Sequence, residues 1–323
     1  MTWLPDGSML VTEKTGALLK FKEGERINIE GVPKVYLQGQ GGLLDIALHP
    51  DYEENGWIYI TYASEEGPGK GGNTALGRGK MEGNRLTNFE VLYKAEPNTT
   101  KGQHFGSRIA FDNENFVYFS IGDRGERDKN PQDITRDGGK IYRLYDDGRI
   151  PEDNPFFDHP QAKKAIYTYG NRNPQGMVKH PETGAIWTHE HGPQGGDEIN
   201  IVRKGANYGW PKVTFGIDYD DTEITDKTSD PEMESPIHHW TPSIAPCGMD
   251  FIKGDKYPGW EGRLVVGSLK FGYVELLTFE GEKVVHQEKL VPDIGRVRNV
   301  KQGPDGYIYI AVEGDGMYRL IPE

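Results

Sequence analysis

The sequence predicts an all-β protein, a six-bladed β-propeller of four-stranded antiparallel blades, and three observations predict it. A turn followed by a short β-rich run recurs six times: LPDGSMLVTE from Leu4, HPDYEENGWIYITYA from His49, FDNENFVYFSIGD from Phe111, HPETGAIWTHE from His180, YPGWEGRLVVGSL from Tyr257 and GPDGYIYIAVE from Gly303. Gly at 43 and Pro at 21 make about a fifth of the 323 residues while aromatics hold 11%, the composition of a turn-dense β chain rather than a disordered one. Gly or Pro interrupts nearly every candidate helical window, leaving a short turn near Gln161 to Ala165 as the best. Six units in this length give about 54 residues apiece, close to the roughly 40 to 50 of a propeller blade with some long loops. A β-sandwich is the alternative fold, but it gives no reason for one unit to repeat six times.

In chain order, the first unit sets the turn Pro5-Asp6-Gly7 ahead of an apolar run from Met9. In the second, Trp57, Tyr59 and Thr61 alternate with Ile58, Ile60 and Tyr62; in the third, Val117 and Phe119 alternate with Tyr118 and Ser120. In the sixth, Ile308 and Ile310 alternate with Tyr307 and Tyr309. Apolar residues on both faces fit strands buried between neighbouring blades. Spacing is longest around residues 125 to 165 and 210 to 250, so insertions there should form loops on one face, where sites are built. With no linker and no low-complexity segment, residues 1–323 read as a single domain.

The net charge of −13 is spread along the chain, which repels phosphate backbones and argues against nucleic acid as a partner; otherwise it means solubility. Mean hydropathy is −0.69 and no apolar run nears the roughly eighteen residues needed to cross a bilayer. The single cysteine, Cys247, excludes an internal disulfide and any multi-cysteine metal site, and beside Pro246 it reads as a packed thiol. Met1-Thr2-Trp3 shows no basic and apolar leader, so no signal peptide is expected in this chain, which starts inside the first unit.

Polar side chains concentrate from Tyr169 to Pro211, held between turn-forming residues. Outside that stretch, His104 lies in GQHFGSRIAFD between Gly102 and Gly106, with Asp123 at the corner beyond the next β-rich run. An imidazole so flanked is reachable by substrate, and a carboxylate there could fix its tautomer and raise its basicity; the competing reading is a histidine bonded to a backbone carbonyl. Arg172, Lys270, Arg296 and Arg298 stand at the ends of β-rich runs in different units, and in a propeller such ends converge near the central channel. Together they would bind a small polyanion, each Arg taking a carboxylate bidentately; singly, each is a solvated charge. His189 and His191 alternate on a strand and could ligate a transition metal, whereas the carbonyls around Gly192 and Pro193 suit a hard cation such as calcium. Asp197 and Glu198 nearby could be ligands to it, but read first as ordinary turn residues.

The chain resembles the soluble pyrroloquinoline quinone (PQQ) dependent aldose and glucose dehydrogenases, which are six-bladed β-propellers. The resemblance rests on an ordered set of motifs across nearly the whole chain: Gln40-Gly41-Gly42-Leu43-Leu44, His49-Pro50-Asp51, His104 with Arg108, Gly122-Asp123, Gly138-Gly139-Lys140-Ile141 and Asn154-Pro155-Phe156. It continues through Tyr169-Gly170-Asn171-Arg172-Asn173-Pro174-Gln175-Gly176, Glu190-His191-Gly192-Pro193, Asp197-Glu198-Ile199-Asn200, Asn207-Tyr208-Gly209-Trp210-Pro211, Ser268-Leu269-Lys270 and Arg296-Val297-Arg298. Short loops bring it nearer the smaller, broad-specificity aldose enzymes.

The resemblance implies catalytic roles for His104, Asp123 and Arg172: His104 takes the proton of the anomeric hydroxyl, Asp123 assists it, and Arg172 sits beside the reacting quinone oxygen. It further implies that Gln40, Arg172, Asn173, Ser243, Lys270, Arg296 and Arg298 bind PQQ, that carbonyls of Gly192 and Pro193 bind a calcium ion, and that a sugar leaves as its lactone. An external electron acceptor, a monomeric or homodimeric state and a periplasmic or secreted location belong to the same implication. Two other functions compete: a calcium-dependent propeller lactonase or hydrolase, which needs carboxylates at the ion, and a non-catalytic propeller that binds partners through its rim.

Overall fold

Each of the six repeated runs becomes the second strand of a small antiparallel sheet. The computed structural model describes residues 1–322, and the chain divides into two compact units. Unit 1 comprises Met1–Asn173 with Arg203–Trp210; unit 2 comprises Pro174–Val202 with Pro211–Glu323.

Unit 1 carries three four-stranded sheets. The first joins β1 (Thr2–Trp3), β2 (Met9–Thr12), β3 (Leu18–Lys22) and β4 (Glu25–Ile29). In the second, β5 (Leu43–Leu48) is followed by a single helical turn, α1 (Tyr52–Asn55), then β6 (Trp57–Ser64), β7 (Asn73–Glu82) and β8 (Arg85–Lys94). The third joins β9 (Ile109–Phe111), β10 (Val117–Ile121), β11 (Lys140–Leu144) and β12 (Ile166–Tyr169).

Unit 2 carries the other three sheets. One joins β13 (Pro174–Lys179), β14 (Ile186–Glu190), β15 (Asp197–Ile201) and β16 (His238–Trp240); the next joins β17 (Pro246–Phe251), β18 (Leu264–Ser268), β19 (Tyr273–Glu280) and β20 (Lys283–Leu290). The last joins β21 (Val297–Gln302), β22 (Ile308–Val312) and β23 (Gly316–Leu320). Every strand pairs antiparallel with its chain neighbour, so the class is the predicted six-bladed β-propeller. One detail differs: the sixth sheet has three strands among the described residues, not four.

Five of the six turns that start these second strands are built by one device with two side chains. In units one, three and six of the repeat an aspartate accepts backbone N–H groups just ahead: Asp6 from Ser8, Asp112 from Glu114 and Phe116, Asp305 from Tyr307. In units two and four a histidine does so through Nδ1: His49 from Asp51, His180 from Glu182 and Thr183. The helical turn α1 sits inside the second of these turns and ends at Gly56, whose φ of 70° suits a residue without Cβ. Gln161–Ala165 forms a non-helical turn instead, organised by His159 Nδ1 accepting from Gln161 and Ala162.

The core lies between consecutive sheets. In unit 1, Leu10, Leu18 and Ile29 meet Leu43, Ile46, Ile58 and Ile60, and Tyr59 and Leu76 meet Ile109, Val117 and Phe119. In unit 2, Trp187, Ile199 and Trp240 meet Met249, Phe251 and Leu264, while Val265, Val274 and Leu276 meet Val297, Val300 and Ile308. The strand β6 shows why both faces can be apolar: Ile58 and Ile60 enter the core against the first sheet and Tyr59 the core against the third, each buried aliphatic or aromatic side chain contributing about 1.5–3 kcal/mol.

Candidate functional site

His104 stands on the loop between β8 and β9, in a backbone conformation most residues avoid. Its φ is 56°, and that of Ser107 is 85°, each a strain of about 1–3 kcal/mol for a residue with a Cβ. Specific bonds hold it: His104 N–H donates to Gln40 Oε1 (2.8 Å), Gly106 N–H to Asn173 Oδ1 (3.1 Å) and Ser107 N–H to the Ser120 carbonyl (2.7 Å). Gly122 leaves the room; a Cβ there would run into the His104 carbonyl and Asn173 Oδ1. Gln40 and Asn173, both expected to bind cofactor, therefore also fix the histidine loop.

His104 Nδ1 lies 2.6 Å from Asp123 Oδ1. The imidazole is 16% exposed and the carboxyl 2%, so the histidine faces outward from a buried partner. Burial alone would raise the pKa of Asp123, but the His104 hydrogen bond and charge, the Arg172 charge and the Gly125 N–H more than offset it and hold the carboxyl below its usual range. An ionised Asp123 accepts, so Nδ1–H donates, and in the neutral imidazole this leaves the lone pair on Nε2. Asp123 N–H bonds the Arg172 carbonyl at 2.7 Å. The Arg172 side chain is buried with its guanidinium 5.2 Å from the Trp210 ring centroid. Unit 1 thus brings together His104, Asp123, Arg172, Gln40 and Asn173.

In unit 2 a second group forms around Asp197. Its carboxylate is buried and accepts from Gly192 N–H at 2.8 Å through Oδ1. Through Oδ2 it accepts from Ser243 Oγ (2.6 Å), Ile244 N–H (2.7 Å) and Ala245 N–H (2.8 Å). Burial raises its pKa in spite of these bonds. Gly192 itself admits no Cβ beside the Gly195 and Gly196 carbonyls. Ile244 and Ala245 in turn accept from Lys270 and Leu269 N–H (3.1 and 3.0 Å), and Arg296 Nη1 donates to the Leu269 carbonyl at 3.5 Å. One strand of contacts therefore runs from the Gly192-Pro193 turn through Ser243 to Lys270 and Arg296. Arg296 and Arg298 share Glu313, at 2.9 and 2.6 Å, with side chains 56% and 46% exposed.

Two expectations are corrected. Asp197 and Glu198 are not turn residues but the first two of β15, and Asp197 is the hub of its loop cluster. His189 and His191 do not make a metal pair: their Nε2 atoms bond the Gly248 and Pro246 carbonyls at 3.2 and 2.7 Å. Among the described residues no group of three or more His, Cys, Asp or Glu side chains is arranged to hold a metal ion. Cys247 is buried, its thiol donating to the Arg298 carbonyl, as a packed thiol should. Trp210 and Glu313 escaped sequence reasoning as partners of the predicted residues. The motif holding Trp210 was visible; nothing in it pointed to Asp123.

Among the described residues no helix is long and apolar enough to cross a membrane. The model of the glucose/sorbosone dehydrogenase family matches residues 1–320. The chain is 39% identical over 321 residues to the aldose sugar dehydrogenase YliI of Escherichia coli K12, covering 97% of this chain and 86% of that protein. It is 27% identical to quinoprotein glucose dehydrogenase B of Acinetobacter calcoaceticus, over 98% of this chain and 83% of that protein. A crystal structure of a glucose dehydrogenase superimposes with a TM-score of 0.95 at 37% identity, covering 100% of this chain and 95% of the other.

Proposed function

The chain belongs to the glucose/sorbosone dehydrogenase family, and we propose that it oxidises the anomeric carbon of aldose sugars to the lactone, using PQQ and calcium. The observation that carries this reading is the His104–Asp123 pair, with Nε2 on the partly exposed side of the imidazole. His104 takes the proton of the anomeric hydroxyl at Nε2 while Asp123 holds Nδ1–H and stabilises the positive charge that develops. The anomeric carbon gives up a hydride as its C–O bond becomes a carbonyl. PQQ, when bound, would supply the hydride acceptor, and calcium would supply Lewis-acid polarisation. Arg172, buried beside Trp210, offers a fixed guanidinium for the developing oxyanion.

The residues present fit this cofactor. PQQ is a tricarboxylate, and Arg296 and Arg298 are half-exposed guanidiniums sharing one carboxylate, a net positive pair able to take further oxygens. We assign them to PQQ together with Lys270, Ser243, Gln40, Asn173 and Arg172. Carbonyls of Gly192 and Pro193 supply hard oxygen donors of the kind calcium prefers, in a turn that Asp197 fixes. Support also comes from the relative in Acinetobacter calcoaceticus, a quinoprotein by its name. An external acceptor then removes the two electrons, and the resemblance favours a periplasmic or secreted enzyme.

Purified protein reconstituted with PQQ and Ca²⁺ should reduce a dye in the presence of glucose, galactose or xylose. Absence of turnover with every aldose would sink the reading.

A further inference from the structure

The motif Asn207-Tyr208-Gly209-Trp210-Pro211 enters the reaction above only as the ring beside Arg172, yet its tryptophan touches two of the reacting groups. Trp210 is 7% exposed, and its indole N–H donates to Oδ2 of Asp123 at 3.0 Å. The other oxygen of that carboxylate takes His104 Nδ1 at 2.6 Å and Gly125 N–H at 2.7 Å. Three donors from three parts of the chain thus meet on one buried carboxylate. The face of the same indole lies 5.2 Å from the Arg172 guanidinium.

The segment bearing Trp210 is itself held rigidly. The side-chain amides of Asn207 and Gln132 exchange a pair of hydrogen bonds, both 2.9 Å. Gln132 Nε2 also donates to the Trp210 carbonyl at 2.9 Å, and Trp210 N–H bonds the Gly170 carbonyl at 2.8 Å. Gly170, at φ 76°, has no room for a Cβ against Asn207 Oδ1. Side-chain packing alone would not need the indole nitrogen aimed at a carboxylate.

We propose that Trp210 is a positioning residue for the proton transfer. Its N–H fixes the rotation of the Asp123 carboxyl so that Oδ1 faces His104 Nδ1, and its ring sets the plane against which Arg172 rests. The terminal torsion of an aspartate is broad and shallow, so the rotation must come from donors on both oxygens. Gly125 and His104 occupy one oxygen; Trp210 locks the other. The proposal rests on the dehydrogenase reading for its catalytic consequence, while its hydrogen-bond content stands apart from it.

Trp210→Phe keeps an aromatic face for Arg172 and removes only the donor. In protein carrying ¹⁵N-histidine and no cofactor, the His104 Nδ1–H should exchange with solvent roughly tenfold faster in the variant, the scale of one hydrogen bond to a charged acceptor. After reconstitution with PQQ and Ca²⁺, kcat should fall about tenfold with KM within about twofold, because the interaction acts on the chemical step. Unchanged Nδ1–H exchange together with unchanged kcat would make Trp210 a packing residue and overturn the proposal. If wild-type protein oxidises no sugar, the dehydrogenase reading fails while the exchange measurement still decides on Trp210. Should Trp210→Phe fail to fold, Asp123→Ala with ¹⁵N-tryptophan labelling decides instead. The Trp210 indole N–H resonance should then move and its solvent exchange quicken, and an unmoved resonance would overturn the proposal.

Discussion

An imidazole acts as a base only through a nitrogen that carries no proton, and at His104 the neighbouring carboxylate decides which nitrogen that is. Asp123 is held ionised against its own burial by His104, Arg172 and Gly125, so it can only accept, and the proton stays on Nδ1. His104→Ala should therefore lower kcat by about 10²- to 10⁴-fold, while PQQ titrated in the presence of Ca²⁺ binds within about twofold of wild type. Loss of PQQ binding instead would reassign His104 to holding the cofactor. Both members of this pair were legible in sequence, because a Gly-flanked histidine and an acidic corner bracket one β-rich run. Their third partner was not: Trp210 lies 87 residues from Asp123, and no periodicity links positions that far apart. Glu313 was hidden differently. The cations Arg296 and Arg298 stood out against an acidic chain, but a glutamate among many does not, and only the pairing of Val297 with Val312 puts Glu313 beside Arg296.

At the scale of elements, what repeats locally could be read and what is held from afar could not. Five of the six turns carry their own side-chain acceptor within a few residues, so turn and second strand were visible as one word in the sequence. The start of β15 was not, because Gly195 and Gly196 precede it and a turn composition masks a strand whose first residue is buried for its charge. Asp197 ties the end of β14 to the loop before β17 through four hydrogen bonds. Asp197→Ala removes the acceptor for three buried donors and one partly buried donor at once. With each stranded donor costing on the order of 1–3 kcal/mol before relaxation or water entry, the variant should lose about 3 kcal/mol or more in urea unfolding. Calcium binding, read by isothermal titration in the presence of PQQ, should weaken with it. A loss under about 0.5 kcal/mol would show that water replaces the carboxylate and that the loops keep their shape without it.

For the whole molecule, neither compact unit is a continuous segment: the chain leaves unit 1 at Asn173, returns at Arg203 and leaves again after Trp210. Such interleaving leads us to expect one cooperative unfolding transition. Stability should also carry a particular pH dependence, set by a lysine that the mechanism does not use. Lys140 is fully buried, its ammonium donating to the Asn130 and Gly138 carbonyls. Burial lowers its pKa from 10.5 to about 7, against the raising effect of Asp137 and Asp133. Between those two values the unfolded chain binds a proton that the folded chain does not. Stability therefore rises with pH across that window, by up to about 1.4 kcal/mol per pH unit for one proton; the contribution is fully present above 10.5 and is lost as pH falls towards 7. Lys94, lowered by burial to about 8, adds to the same slope. Lys140→Met should be less stable than wild type at high pH, since it strands two carbonyl acceptors, and its stability should climb less steeply from pH 7 to 9.5. Calorimetry of both proteins over that range should show one transition in each, with the gap between them widening as pH rises. Parallel curves would mean that Lys140 stays charged in the fold throughout, its two carbonyls and two nearby carboxylates outweighing its burial.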